Sequence, residues 1–95
     1  MEFDADIFDA VEFGNLADVQ TYWTDSININ YQDLSGIDLL MLACKYGHLD
    51  IVKYLLQFNP DLENKNNKGQ TAIDIAIKNN FMEIVAQLKL TTTQK

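Results

Sequence analysis

The stretch Gly47-His48-Leu49-Asp50-Ile51-Val52-Lys53-Tyr54-Leu55-Leu56 decides how the rest of the chain is read. A glycine breaks the chain, and apolar residues follow at Leu49, Val52, Leu55 and Leu56, a spacing that puts them on one face of a helix. The pattern stands 33 residues upstream as Gly14-Asn15-Leu16-Ala17-Asp18-Val19, and 33 residues downstream as Asn80-Phe81-Met82-Glu83-Ile84-Val85. Gly14, Gly47 and Asn80 share one register, and Val19, Val52 and Val85 another. A fixed period of this length, held through three copies, predicts a repeat protein.

Extended upstream, Leu42-Ala43-Cys44-Lys45-Tyr46-Gly47-His48 precedes the leucine-rich helix with a small-residue pair and a glycine-histidine turn. This whole segment resembles the core of an ankyrin repeat, and 33 residues is the ankyrin period. The resemblance runs from about Asp4 to about Leu90 and is closest in the middle copy. It implies an all-α fold, an ankyrin-repeat solenoid of three helix-turn-helix units with short β-hairpin-like turns. Residues 1–95 then form a single domain, with repeats at about 4–32, 33–65 and 66–90 and a frayed polar tail, 91–95. Such a fold is a scaffold and does not specify a function.

The local signals agree with this register. The first copy lacks the opening turn and reads as an N-terminal cap, with Ile7, Phe8, Ala10 and Val11 as its apolar face and Asp4 or Asp6 able to cap its first helix. Its second helix is expected from about Leu16 to Trp23, with Trp23 a core anchor where the family has leucine. Gly14 and Gly36 suit left-handed backbone, as do Asn59 and Asn80 where the family has glycine. Asp38-Leu39-Leu40-Met41 stands in place of the family's Thr-Pro-Leu-His and matches it only at Leu40, so reduced local rigidity is expected. Asp38 can still cap the helix that follows, which runs to about Tyr46, ahead of a second from Leu49 to about Gln57 and a stop at Pro60. Thr71-Ala72-Ile73-Asp74 reads as a capping box, with helices to about Asn79 and from about Met82 to Lys89.

Charge is distributed unevenly. The chain carries a net −7, but residues 1–44 hold nine acids and no lysine or arginine, while residues 45–95 hold seven lysines against five acids. An acidic first repeat would repel nucleic acid and anionic membrane and attract a basic protein. No apolar run approaches a membrane span, and the acidic Met1-Glu2-Phe3-Asp4 start is unlike a signal peptide, so a soluble, cytoplasmic protein is expected.

The residues offer no catalytic constellation. His48 is the sole histidine, and the resemblance gives it a structural role after the turn glycine. Cys44 is the sole cysteine and occupies a buried small-residue position. The four glycines are isolated at repeat spacing and mark turns, with no phosphate-cradling loop among them. Neither a cofactor nor a metal is expected.

In ankyrin proteins the usual binding surface is formed by the hairpin tips and the exposed side of the first helices. Carried over position by position, the resemblance implies tips at Gln32, Leu34, Ser35 and Ile37, then Lys65, Asn67, Lys68 and Gln70, and helix positions at Glu12, Phe13, Lys45, Tyr46, Lys78 and Asn79. Phe13, Leu34, Ile37 and Tyr46 would gather as an apolar centre with a charged rim, as specific interfaces are built.

The leading reading is a non-catalytic protein-protein interaction module, in its sharper form a small acidic inhibitor, an immunity protein or antitoxin, that blocks a basic partner enzyme. The alternative is a scaffold or effector that binds a regulatory partner, or pairs as a homodimer, without inhibiting an enzyme. Strong salt dependence of binding would favour the first and weak dependence the second.

Overall fold

The structure, a computed structural model, describes residues 5–93, and its helices start and stop where capping chemistry places them. Helices α1 (Ala5–Phe13) and α2 (Leu16–Tyr22), α3 (Leu39–Tyr46) and α4 (Leu49–Leu56), and α5 (Ala72–Lys78) and α6 (Met82–Thr93) make three successive pairs. Asn15 caps α2 by accepting from the backbone N–H of Asp18, and Asp38 caps α3 by accepting from that of Met41 at 2.8 Å. Thr71 and Asp74 form the reciprocal capping box at the head of α5. Asp6 lies in the first turn of α1, where its charge suits the helix dipole, while Asp4 lies outside the described residues. Between the helices of each pair, Gly14, Gly47 and Asn80 take positive φ (81°, 77° and 62°), so three equivalent positions make one turn with two residue types.

The pairs stack in two layers. In one, α3 lies between α1 and α5; in the other, α4 lies between α2 and α6. Ala10, Ala43 and Ala76, one per repeat, are all buried where the first layer packs, and Val19, Val52 and Val85 are buried in the second. Ile51, Val52 and Leu55 are fully buried, each contributing about 1.5–3 kcal/mol of transfer free energy.

The turns between repeats are hairpin-like. Asp33 N–H donates to Ile37 O and Gly36 N–H to Asp33 O, both at 2.9 Å, and Asn66, Gly69 and Gln70 repeat the arrangement one unit later. No strand ladder forms among the described residues. The second tip is bonded to the first: Asn67 N–H donates to Ser35 O at 3.0 Å, and Asn67 Nδ2 to Leu34 O at 2.8 Å. Gly36 is required at this junction, because a Cβ there would stand 2.8 Å from Asn66 Cα.

Two boundaries differ from the sequence-based expectation. The second helix of the first repeat stops at Tyr22, and Trp23 is its extended C-cap, half-buried and stacked on Phe58 with ring centroids 4.3 Å apart. The last helix does not stop at Lys89; it runs to Thr93, three residues into the segment expected to fray. Leu88 anchors it in the core, and Thr91 Oγ1 donates to Gln87 O at 3.1 Å.

Candidate protein-binding hollow

A hollow of about 500 Å³ lies along the turn tips and the last turns of α1, α3 and α5. Its organisation follows from the repeat. The inner-helix position that is Glu12 in the first unit is Lys45 in the second and Lys78 in the third, and all three line it. The next position adds Tyr46 and Asn79, and the tips add Ser35, Ile37, Asn67, Lys68 and Gln70. Ten of the residues expected at a binding surface are thus brought together.

Phe13, Gln32, Leu34 and Lys65 do not line the hollow. Phe13 is 85% exposed and Leu34 100% exposed, so the apolar centre expected from Phe13, Leu34, Ile37 and Tyr46 is reduced, within the hollow, to Ile37 and Tyr46. Gln32 Nε2 is occupied in joining repeats, donating to Gly36 O and to Lys65 O at 2.8 Å each. Four residues absent from the expected set, Asp33, Leu42, Asn66 and Ile75, complete the lining. Leu42 and Ile75 are core residues that show an edge as its floor. They lie three residues before Lys45 and Lys78, on the same helical face, and that spacing is the signal that would have found them.

The hollow differs electrostatically from the molecule around it. Three lysines (Lys45, Lys68, Lys78) and two carboxylates (Glu12, Asp33) line it, so it is formally positive within a chain of net charge −7. Asp33 Oδ1 accepts the backbone N–H groups of Ser35 and Ile37 at 2.8 and 2.9 Å, which fixes the tip. The Lys45 ammonium stands 5.5 Å from the centroid of the Tyr46 ring, and that ring stacks towards His48 at 6.4 Å. Asp6, Asp9, Glu12, Asp18 and Asp25 of the first repeat are all exposed, and of these Glu12 lines the hollow.

Two titratable groups lie in the core, away from this surface. Asp38 is 2% exposed; burial pushes its carboxyl above the usual range, against the hydrogen bonds from Met41 N–H and from Asn64 Nδ2 at 3.2 Å. Burial, aided by the charge of Asp38, pushes the Cys44 thiol up to about 12, so it stays protonated and inert. Among the described residues no group of three or more His, Cys, Asp or Glu could hold a metal ion, and no helix is long and apolar enough to cross a membrane.

Helix pairs stacked in two layers, with turn tips bordering one hollow, define an α-solenoid of the protein-binding kind. The family model for ankyrin repeats in three copies matches residues 7–93, and the chain belongs to the ankyrin-repeat family. It is 40% identical over 63 residues to alpha-latrotoxin-Lt1a of Latrodectus tredecimguttatus, covering 66% of this chain and 4% of that protein. It is 32% identical over 88 residues to protein phosphatase 1 regulatory subunit 27 of Homo sapiens, covering 93% and 56%. The chain thus spans a small part of the first relative and about half of the second. Among solved structures, it resembles a chain in the complex of the Bd0816 predatory endopeptidase from Bdellovibrio bacteriovorus with immunity protein Bd3460. The TM-score is 0.88 and the identity 36%, over 95% of this chain and 47% of that one. Ankyrin repeats mediate protein-protein interaction, and this chain carries three.

Proposed function

We propose that this chain is a non-catalytic, cytoplasmic inhibitor, of the immunity-protein or antitoxin kind, that binds a basic enzyme and blocks it. The observation that carries the reading is the first repeat: five exposed carboxylates and no base, with one of the five, Glu12, in the lining of the hollow. Carboxylates so grouped raise the association rate with a positively charged partner and select against anionic ones such as nucleic acid and membrane. The resemblance to a chain in an endopeptidase–immunity protein complex supports the same reading. The footprint would join the acidic face of α1 to the hollow at Tyr46.

Affinity capture from the source cell tests this. The bait is wild type, an Asp6→Asn/Asp9→Asn/Glu12→Gln variant, and a Tyr46→Ala variant, each checked for helicity. The expected result is one basic enzyme held by the wild type and weakly by both variants, with its activity falling as complex forms. Capture that leaves the enzyme fully active, with binding insensitive to salt, would replace inhibition with a scaffolding role.

A further inference from the structure

The chain is acidic, yet its hollow carries three lysines with no carboxylate partner among the described residues. A basic partner alone does not account for them. Lys45 and Lys78 occupy one register position on α3 and α5, and Glu12 occupies it on α1, so this row reads negative, positive, positive along the stack. The three helices pack in series. Neighbouring packed helices are separated by about 8–10 Å, and a polyproline II segment advances about 3.1 Å per residue with three residues per turn, so every third residue lies on one face and reaches the next helix. Lys68, at the second tip, faces the same hollow.

We propose that the hollow receives a segment of the partner protein in polyproline II conformation, in which one basic and two acidic residues stand at successive third positions. The basic residue pairs with Glu12, and the acidic residues pair with Lys45 and Lys78, with Lys68 alongside. The edges of Leu42 and Ile75, with Ile37 and Tyr46, take apolar side chains between the charges. This rests on the reading that the chain binds a protein, and it names which part of that protein the hollow recognises. The partner is then two-signed: a basic surface against α1 and an acidic segment within the hollow. A segment of uniform positive charge would be repelled by the three lysines.

The test is selection of a displayed random dodecapeptide library on the wild type, with depletion on a Lys45→Gln/Lys68→Gln/Lys78→Gln variant of unchanged helicity. The expected peptides carry two acids three residues apart and a base three residues further on. Synthetic copies should bind the triple variant at least about tenfold more weakly, as losing several interfacial charge pairs implies. A Lys78→Glu variant should lose these peptides and regain binding when the matching acid is exchanged for lysine, a charge reversal that a purely structural role would not produce. Peptides lacking the pattern, equal affinity for the triple variant, or no selected peptide would overturn the proposal. The selection needs no captured enzyme: patterned peptides together with an uninhibited partner would leave this inference standing and remove the inhibitor reading.

Discussion

His48 donates from Nε2 to the carbonyl oxygen of Glu12 at 2.9 Å and so ties the turn of the second repeat to the last turn of α1. Its ring covers Gly14, where any Cβ would collide with it. One repeat on, Phe81 stands in the same register as His48 and covers Gly47, where a Cβ would lie 2.7 Å from the Phe81 ring. The turn glycines therefore have two jobs, positive φ and room for the next repeat's ring. Gly69 has a similar φ of 76° but nothing within 4 Å of a Cβ. Gly69→Ala should cost about 1 kcal/mol from backbone strain alone, and Gly14→Ala distinctly more. In a His48→Ala background the Gly14→Ala cost should fall towards that of Gly69→Ala. Urea unfolding of the four variants checks the ordering; equal costs at Gly14 and Gly69 would refute it.

These interlocked turns also explain what was legible in the sequence. Gly14, Gly47 and Asn80, with Val19, Val52 and Val85, carry the period, and a period specifies backbone turns and buried faces directly. The capping positions Asp38 and Thr71 were readable because a cap is a local hydrogen bond. The continuation of α6 beyond Lys89 was not, since Thr91, Thr92 and Thr93 extend it without any apolar period in the sequence. At the hollow, register located Lys45, Tyr46 and Lys78, but not the outward course of Phe13 and Leu34. Phe13 ends α1 and Leu34 stands at a turn tip, and in both places side-chain direction depends on how neighbouring repeats pack.

Asp38 sets a pH dependence. Its pKa is raised above the unfolded value, chiefly by burial and further by the charge of Asp61. The folded state therefore binds the proton more tightly. The associated stabilisation is fully present below the unfolded value of 3.8 and is lost as pH rises through the raised folded value. Asn keeps the capping oxygen and carries no charge. Asp38→Asn should thus be at least as stable as wild type near neutrality, with the advantage moving to wild type as the pH is lowered. Asp38→Ala, which leaves Met41 N–H without its cap, should lose about 1–2 kcal/mol. A pH series of urea midpoints for the three proteins reads the sign; a wild-type advantage that grows with pH would contradict it.

Trp23, Tyr54 and Phe58 form an aromatic cluster across the first two repeats: Trp23 stacks on Phe58 at 26° and meets Tyr54 edge-on at 5.7 Å. Trp23 is half-buried, so Trp23→Ala should cost about 2–3 kcal/mol, below the range for fully buried tryptophan. The single tryptophan also makes this junction observable. Its fluorescence should change together with the helical circular dichroism on unfolding, because a three-repeat stack loses its core when one interface opens. A fluorescence transition well ahead of the helical one would show instead that the first repeat detaches separately.

Cys44 gives an independent readout of global opening. The thiol is fully buried and its pKa is pushed up to about 12, so at pH 8 it should not react with a disulfide reagent such as DTNB on the timescale of a free thiol. Adding urea should accelerate labelling along the unfolding curve. Rapid labelling of the native protein would mean that α3 opens locally without the rest of the stack.

Val11, Cys44 and Ile77 occupy one register position in the three repeats, yet the first two are 0% exposed and Ile77 is 48% exposed. The difference is positional. Val11 lies under α3 and Cys44 between α1 and α5, whereas Ile77 is on the last unit among the described residues. Placing lysine at each site should therefore give three distinct results. Val11→Lys and Cys44→Lys bury an unpaired ammonium and should abolish folding, since that cost rivals the few kcal/mol by which a domain of this size is stable. Ile77→Lys should cost under about 1 kcal/mol, because the ammonium can reach water while the aliphatic stem covers the same surface. Circular dichroism and urea unfolding of the three variants check this. An unfolded Ile77→Lys would mean that Ile77 is covered in solution, as pairing of two copies through this end of the stack would do.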